Sequence, residues 1–300
     1  MAIFTVIVNY NAGKEVLECL RTLKKSNTQI VVVDNASSDG SVATIEKTFP
    51  QVEVIKNSKN LGFAAAANQG IKHSLRKKAA AVVLLNPDTL AKSDFVDRLW
   101  QRAQTRSSIG IVGPKIYFAP GFEFHSQRYK KADRGKVIWY AGGQIDWDNI
   151  MGVHRGVDEV DSGQFDQPQP VEFVSGCCML VKAQVFKKIG LLDERYFMYL
   201  EDMDFCHRAR RAGFQLFYEP QAVVWHKNAL SSGGSGSNLQ TYFFTRNRLL
   251  FGFSYAPWHT RFALFRQSLR YLFGGNRWQR RGVVDFYLRR FYQGSFPLQT

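Results

Sequence analysis

Leu84-Leu85-Asn86-Pro87-Asp88-Thr89 is the stretch from which the rest of the chain can be read. An apolar run from Ala79 to Leu85 stops there, at a single carboxylate behind a proline. A buried parallel strand looks like this: unbroken apolar residues, too few for a helix, bounded by turn residues. Pro87 ends the strand and fixes φ, which aims the next side chain. Asp88 then projects at the carboxyl end of a central strand, where open α/β sheets bind ligands. The competing reading makes Asp88 the N-cap of a helix over 92–105.

Working outward, residues 1–115 alternate strand and helix. Apolar strands over 3–8, 30–33, 52–56 and 80–85 are separated by helices over 14–25, 41–49 and 64–75. That rhythm predicts βαβ units and a parallel sheet. Right-handed crossovers bring every strand's carboxyl end to one edge. Asn9, Asp34, Asn60 and Asp88 stand at those ends and converge on one crevice. Each has a plainer reading. Asn9 suits a turn, and Asp34-Asn35 suits an Asx-turn. Asn60-Leu61-Gly62 suits a loop whose glycine permits positive φ or a close backbone approach. Asn68, inside an alanine-rich helix, is either exposed or turned toward the site. No Gly-rich dinucleotide fingerprint and no GxxxxGK[ST] loop occurs, which argues against a NAD or ATP fold.

Composition narrows the classes. A 45% hydrophobic content is that of a chain with a real core. Forty Lys and Arg against 25 Asp and Glu, formally +15, point to an anionic partner: nucleic acid, a phosphorylated substrate or an anionic membrane. Cys19, Cys177, Cys178 and Cys206 form no CxxC, so neither a zinc site nor a disulfide framework is expected and a reducing cytosol is favoured. The chain enters a strand at Ile3 without a basic and apolar leader, so no secretory signal is expected. No apolar run approaches the roughly 18 residues of a spanning helix.

Residues 110–175 change character. Short strands over 110–117, 137–145 and 152–156 read as an antiparallel extension of the sheet, with a basic flap over 122–136 and a loop over 163–170. A buried strand is expected over 171–181, then a helix over 183–189 ending at Gly190. Tyr196-Phe197-Met198-Tyr199-Leu200 leads into Glu201-Asp202-Met203-Asp204 and a helix over 203–212. Three acids within four residues could cap that helix. Behind four aromatic and sulfur-bearing side chains, one of them also suits a general base tuned by its surroundings. Strands over 215–218 and 222–226 follow. Ser231 to Ser237 is a low-complexity loop suited to a lid. From Tyr242 to Thr300, ten arginines meet one acid, Asp285, among many aromatics. That pattern fits an interfacial membrane surface, nucleic acid, or a helical pair with its arginines in solvent.

Taken in order, several segments resemble family 2 glycosyltransferases of the GT-A fold, in the rhamnosyltransferase-like branch. They are Val6-Ile7-Val8-Asn9-Tyr10-Asn11, Val32 to Gly40, Asn60-Leu61-Gly62-Phe63-Ala64, Leu84 to Asp88, Gly176 to Leu180, Glu201 to Asp204 and Trp225-His226. The resemblance spans about residues 1–250. It implies a Rossmann-like, mostly parallel mixed sheet flanked by helices. A GT-A domain would span 1–240, with a nucleotide-binding half (1–115) and an acceptor and catalytic half (116–240). A basic, aromatic helical extension would follow over 241–300. It also implies inverting transfer of a sugar, foremost L-rhamnose from dTDP-L-rhamnose, onto a saccharide in bacterial surface polysaccharide synthesis. UDP-hexoses and other dTDP-deoxysugars are the alternative donors.

Carried over residue by residue, Asp202 is the catalytic base, supported on the acceptor side by Glu201, Asp204 and Trp225. Asn9, Tyr10, Asn11, Asp34, Asn35, Asn60, Gly62, Asn68, Asn86 and Arg246 line the nucleotide and donor site. Asp88 and His226 hold Mg2+ or Mn2+ on the diphosphate. One departure weakens the metal site: Asn86 stands where many members carry a second acid. The implied partners are a nucleotide-sugar donor, a saccharide acceptor on a lipid diphosphate and an anionic membrane surface, with no nucleic acid. A homodimer is allowed, and the implied location is peripheral, on the cytoplasmic face of the inner membrane. A nucleotidyltransferase would want a glycine-rich basic loop that Asn9-Tyr10-Asn11-Ala12-Gly13 does not supply. A nucleic-acid binder would not gather its carboxylates at the crevice.

Overall fold

A computed structural model describes residues 2–125, 127–228 and 236–298. The first third follows the expected alternation: β1 (Ile3–Asn9), α1 (Gly13–Leu23), β2 (Gln29–Asp34), α2 (Ser41–Thr48), β3 (Glu53–Lys56), α3 (Phe63–Arg76) and β4 (Ala81–Leu85). β1 pairs in parallel with β4 and β2, and β2 with β3. Period-2 alternation splits each strand between two cores. Phe4, Val6, Val82 and Leu84 enter one apolar cluster, while Ile3, Ile7, Ala81, Val83 and Leu85 enter the other. Both faces are therefore covered, as a parallel sheet requires.

The chain departs from expectation just after Asp88. Thr89–Ala91 forms a short strand, β5, and α4 (Phe95–Gln104) starts later than expected, with Asp94 at its N-cap position. Asp88 is therefore not the cap of that helix. Next come β6 (Ile109–Phe118), β7 (Ile138–Tyr140), β8 (Gly143–Asp146), β9 (Met151–His154), β10 (Gln169–Val171) and β11 (Cys178–Lys182). The expected 137–145 strand is broken at Gly142, whose φ is +107°. The expected 171–181 strand is regular only from Cys178, and its first half turns irregular to wall the site. In the 122–136 segment, the Glu123 carboxylate accepts from the amides of Gly121 and Gly135, and Tyr129 is buried, so its described residues form a pinned loop.

α5 (Ala183–Ile189) and α6 (Glu201–Arg211) follow, so Glu201 and Asp202 lie in a helix's first turn. The two strands expected over 215–226 are one bent strand, β12 (Gln215–His226), with a register shift between Glu219 and Val223 where Pro220 interrupts the ladder. β11 runs antiparallel between β4 and β6, and β12 joins β6 in parallel. The main sheet thus runs β10-β12-β6-β11-β4-β1-β2-β3. Three helices complete the chain: α7 (Asn238–Tyr255), α8 (Trp258–Gly274) and α9 (Arg277–Tyr287). Among the described residues no helix is long and apolar enough to cross a membrane.

Candidate active site

Strand register explains why Asp88 and His226 meet. β5 pairs antiparallel with β12, placing Thr89 opposite His226, and the amide of Lys227 donates to the Asp88 carbonyl at 3.0 Å. The two side chains are almost fully buried, with His226 Nε2 3.2 Å from Asp88 Oδ1. The angles are not those of a hydrogen bond. Asp88 Oδ1 and both imidazole nitrogens have no hydrogen-bond partner among the described residues. Burial would push the Asp88 carboxyl up, but His226, its own backbone amide and Lys227 outweigh it and hold it below the usual value. Asp88 is therefore an anion with an unused oxygen beside an unused imidazole. The carboxylate oxygen suits Mg2+ or Mn2+, whereas the imidazole is a softer donor than the oxygens Mg2+ prefers. No third His, Cys, Asp or Glu joins them among the described residues. Two protein ligands fit a metal completed by oxygens of a bound substrate.

Asp88, Asn86 and His226 form one wall of a cavity of about 330 Å³. Glu201 and Asp202 form another, with the Ser175-Gly176-Cys177 turn beside them. Asp202 is half-buried and anchored from two sides. Its Oδ2 accepts from the Gly176 amide at 2.7 Å and its Oδ1 from the Met203 amide at 2.8 Å. Burial raises its pKa against the pull of those bonds. Burial and the adjacent Asp202 charge push Glu201 well above the carboxylate range, and among the described residues its Oε2 has no hydrogen-bond partner. Asp202, anchored by two amides and raised above its usual value, is the carboxylate of the pair positioned to accept a proton.

The loop before α6 is strained and clamped. Phe197, Tyr199 and Leu200 all have positive φ (65°, 68° and 70°). Asn247 Nδ2, from α7, lies within hydrogen-bond distance of the carbonyls of Tyr196, Met198 and Tyr199 at 2.8–2.9 Å. Arg246 is fully buried and donates to the carbonyls of Tyr292, Arg195 and Tyr196. From the other side the Ala64 amide donates to the Phe197 carbonyl at 3.2 Å. Gly62, at φ +81°, lies so close that a Cβ there would stand 2.4 Å from the Phe197 ring.

The remaining expected site residues divide into two groups. Asn9 Nδ2 lies against Asp34 Oδ1, Ser37 Oγ and Ser41 Oγ at 2.8–3.0 Å, and the Ser37 amide donates to Asp34 Oδ2. Asn11 is exposed and its Oδ1 accepts from the Ser38 amide; Tyr10 is half-buried next to it. Asn35 donates to Asn60 Oδ1 at 2.8 Å and accepts from the Leu61 amide. These residues build the loops after β1, β2 and β3, outside the cavity lining, and among the described residues the buried Asn9 Oδ1 has no hydrogen-bond partner.

Four others make contacts away from the cavity lining. Asn68 is buried, and its amide exchanges hydrogen bonds with the backbone of Leu192, tying α3 to that turn. Arg246 faces the loop carbonyls instead of the cavity. Asp204 is buried against Arg208 Nε (2.7 Å) and the Tyr255 hydroxyl (2.8 Å). Trp225 stacks on Tyr117 and donates to the Gly135 carbonyl. None of the four lines the cavity. The expected lid loop falls largely on residues 231–235, outside the described residues.

The cavity also has walls not foreseen from the sequence. Trp139 packs edge-on against both His226 (4.7 Å) and His154 (4.5 Å). Burial lowers the His154 pKa to about 4, so its ring is neutral, and Nδ1 lies 3.1 Å from the Trp139 carbonyl. Phe173, Met198, Tyr199, Gln240 and Phe244 close the rest. An apolar, aromatic pocket with a metal-competent pair on one side and a raised carboxylate on the other can bind a sugar and move one proton.

The signature described as Glycosyl transferase family 2 matches residues 5–190. An N-acetylglucosaminyl-diphospho-decaprenol L-rhamnosyltransferase of Mycobacterium tuberculosis is 28% identical over 240 residues, covering 76% of each chain. A dTDP-rhamnosyl transferase, RfbF, of Shigella flexneri is 28% identical over 75% of this chain and 68% of its own. Among solved structures, GalNAc-T7 with UDP, GalNAc and Mn2+ superposes with a TM-score of 0.62 at 16% identity. That match covers 82% of this chain and 47% of the other, so the chain spans about half its length, and the likeness is one of fold.

Proposed function

The chain belongs to glycosyl transferase family 2, and from that premise we propose that it moves L-rhamnose from dTDP-L-rhamnose, with inversion, onto a saccharide carried on a lipid diphosphate. The observation that carries the mechanism is the single cavity shared by Asp88, His226 and Asp202. The two relatives named for rhamnosyl transfer support the donor, and the diphospho-decaprenol in one name supports the lipid-linked acceptor. The enzyme then works as a peripheral protein on the cytoplasmic face of the membrane, in surface polysaccharide synthesis. Residues 1–115 are the donor half, 116–240 the acceptor and catalytic half, and 241–300 a helical extension.

Asp88 and His226 would hold Mg2+ or Mn2+ at the donor diphosphate. When bound, the ion neutralises charge as the nucleoside diphosphate departs. Asp34, with the Asn9–Asn11 turn and the Asn35–Asn60 network behind it, presents the loop that receives the base. Asp202 takes the proton of the acceptor hydroxyl as its oxygen attacks the anomeric carbon from the face opposite the leaving group. The bond from that carbon to the diphosphate oxygen breaks, and its electrons leave with the nucleotide. The raised pKa of Asp202 strengthens it as a base. The two amides anchoring its oxygens hold it in line. Trp139, Phe173 and Phe244 exclude water from the sugar.

The test is a donor-hydrolysis screen across nucleotide sugars with Mn2+ present. Preferential consumption of dTDP-L-rhamnose supports the reading. Equal or greater turnover of UDP-hexoses overturns the donor.

A further inference from the structure

α8 carries two faces, and among the described residues only one of them is packed. Thr260, Leu264 and Ser268 are buried against the body. Leu264 fits over Gly252 of α7, where a Cβ would stand 2.2 Å from Leu264 Cδ1. On another side Trp258, Phe262, Phe265, Leu269 and Phe273 are exposed by 81%, 58%, 43%, 38% and 83%. Their spacing of three and four residues places all five on an arc of roughly 80°. An unbroken solvent-facing stripe of four aromatics and a leucine marks an interaction surface.

Charge identifies the partner. Arg266 and Arg270 lie beside the stripe and, with Arg248, line a cavity of about 380 Å³ in which three arginines face one acid, Asp148. Among the described residues the Arg248 Nε has no hydrogen-bond partner, while its guanidinium meets Tyr271. α9 adds exposed Val284 and Tyr287, with Leu288 just after it, and the Tyr287 hydroxyl lies 2.8 Å from Ser268 Oγ. The single acid of this extension, Asp285, is buried and bonded to the Tyr242 hydroxyl, so it does not offset the arginines at the surface.

We propose that α8 lies in the plane of an anionic bilayer, with the Trp258–Phe273 stripe among the acyl chains and Arg266 and Arg270 on headgroup phosphates. Apolar insertion and phosphate pairing act together in this geometry. The site is connected to this surface through α7, which gives Gln240 and Phe244 to the cavity and Gly252 to the α8 contact. A lipid-linked acceptor would therefore be met from the bilayer side. That last step rests on the proposed reaction; the surface itself does not.

The test is co-sedimentation of the full chain with vesicles containing phosphatidylglycerol and with vesicles of phosphatidylcholine alone. Phe262→Glu with Leu269→Glu should weaken partitioning onto phosphatidylglycerol vesicles at least about tenfold, with dTDP affinity unchanged as the control for folding. Arg266→Gln with Arg270→Gln should weaken binding to the anionic vesicles alone and flatten its salt dependence. Unchanged partitioning of the Phe262/Leu269 variant overturns the proposal. So does equal wild-type binding to both vesicle types, or a dimer at sedimentation equilibrium that this variant dissociates. Vesicle binding without consumption of any nucleotide sugar would sink the transferase reading and leave the surface standing. Transferase activity with stripe-independent vesicle binding would do the reverse.

Discussion

Asn247→Ala tests whether α7 sets the geometry of the catalytic loop. Asn247 is fully buried, and Nδ2 contacts the carbonyls of Tyr196, Met198 and Tyr199. The loop it grips holds three non-glycine residues at positive φ. At roughly 1–2 kcal/mol each, they store about 3–6 kcal/mol of strain. The two N–H donors of Nδ2, shared among the three carbonyls, supply about 2 kcal/mol against it at about 1 kcal/mol each. Truncation removes a restraint that offsets part of the strain and leaves carbonyls in the interior unpaired. Urea unfolding should show about 2–4 kcal/mol less stability. Transfer at saturating donor should fall about tenfold to a hundredfold, because Asp202 begins two residues after the strained segment and an error near 1 Å is costly. Donor affinity should stay near wild type, since Asn247 does not face the nucleotide edge. Stability within about 0.5 kcal/mol of wild type, with unchanged turnover, would refute the reasoning.

Gly62→Ala should cost roughly 2–4 kcal/mol in the same unfolding assay, through positive φ and collision with Phe197; a neutral result would contradict the close approach. Glu201→Gln should stabilise the fold by about 1–2 kcal/mol at neutral pH. The folded-state pKa of Glu201 is raised, so its destabilisation is present above that pKa and relieved as protonation sets in at lower pH; the gain should shrink on acidification, and a pH-independent difference would count against it. Asp88→Ala should lose the Mn2+ dependence of donor binding in calorimetry, whereas EDTA-sensitive binding equal to wild type would remove Asp88 from the metal site.

The parallel half was legible because each strand is an unbroken apolar run ending in a polar turn, and each helix carries its own period. Asp88 and Asp202 were legible for a related reason: a lone acid behind Pro87 and a cluster of acids at a helix start are local signals. What was hidden depends on register between distant segments. β5 is three residues long and is held by β12, so nothing local in Thr89–Ala91 announces that His226 will lie beside Asp88. Trp139, His154 and Phe173 meet through short antiparallel pairs that carry little period of their own. Arg246 was placed at the donor site by the resemblance alone. Yet Tyr242, Phe243, Arg246, Asn247, Leu249 and Leu250 share one helical face by spacing, and that face is buried. There the guanidinium is satisfied by backbone carbonyls, as a buried arginine must be.

The central claim is that Asp202 handles the attacking hydroxyl while Asp88 handles the leaving diphosphate. It is tested most directly by the transfer rate of Asp202→Asn at saturating dTDP-L-rhamnose, with the donor dissociation constant measured on the same preparation. The predicted result is a loss of turnover on the order of a hundredfold or more at a donor affinity close to wild type. Near wild-type transfer would contradict it, as would a loss of rate fully explained by weakened donor binding.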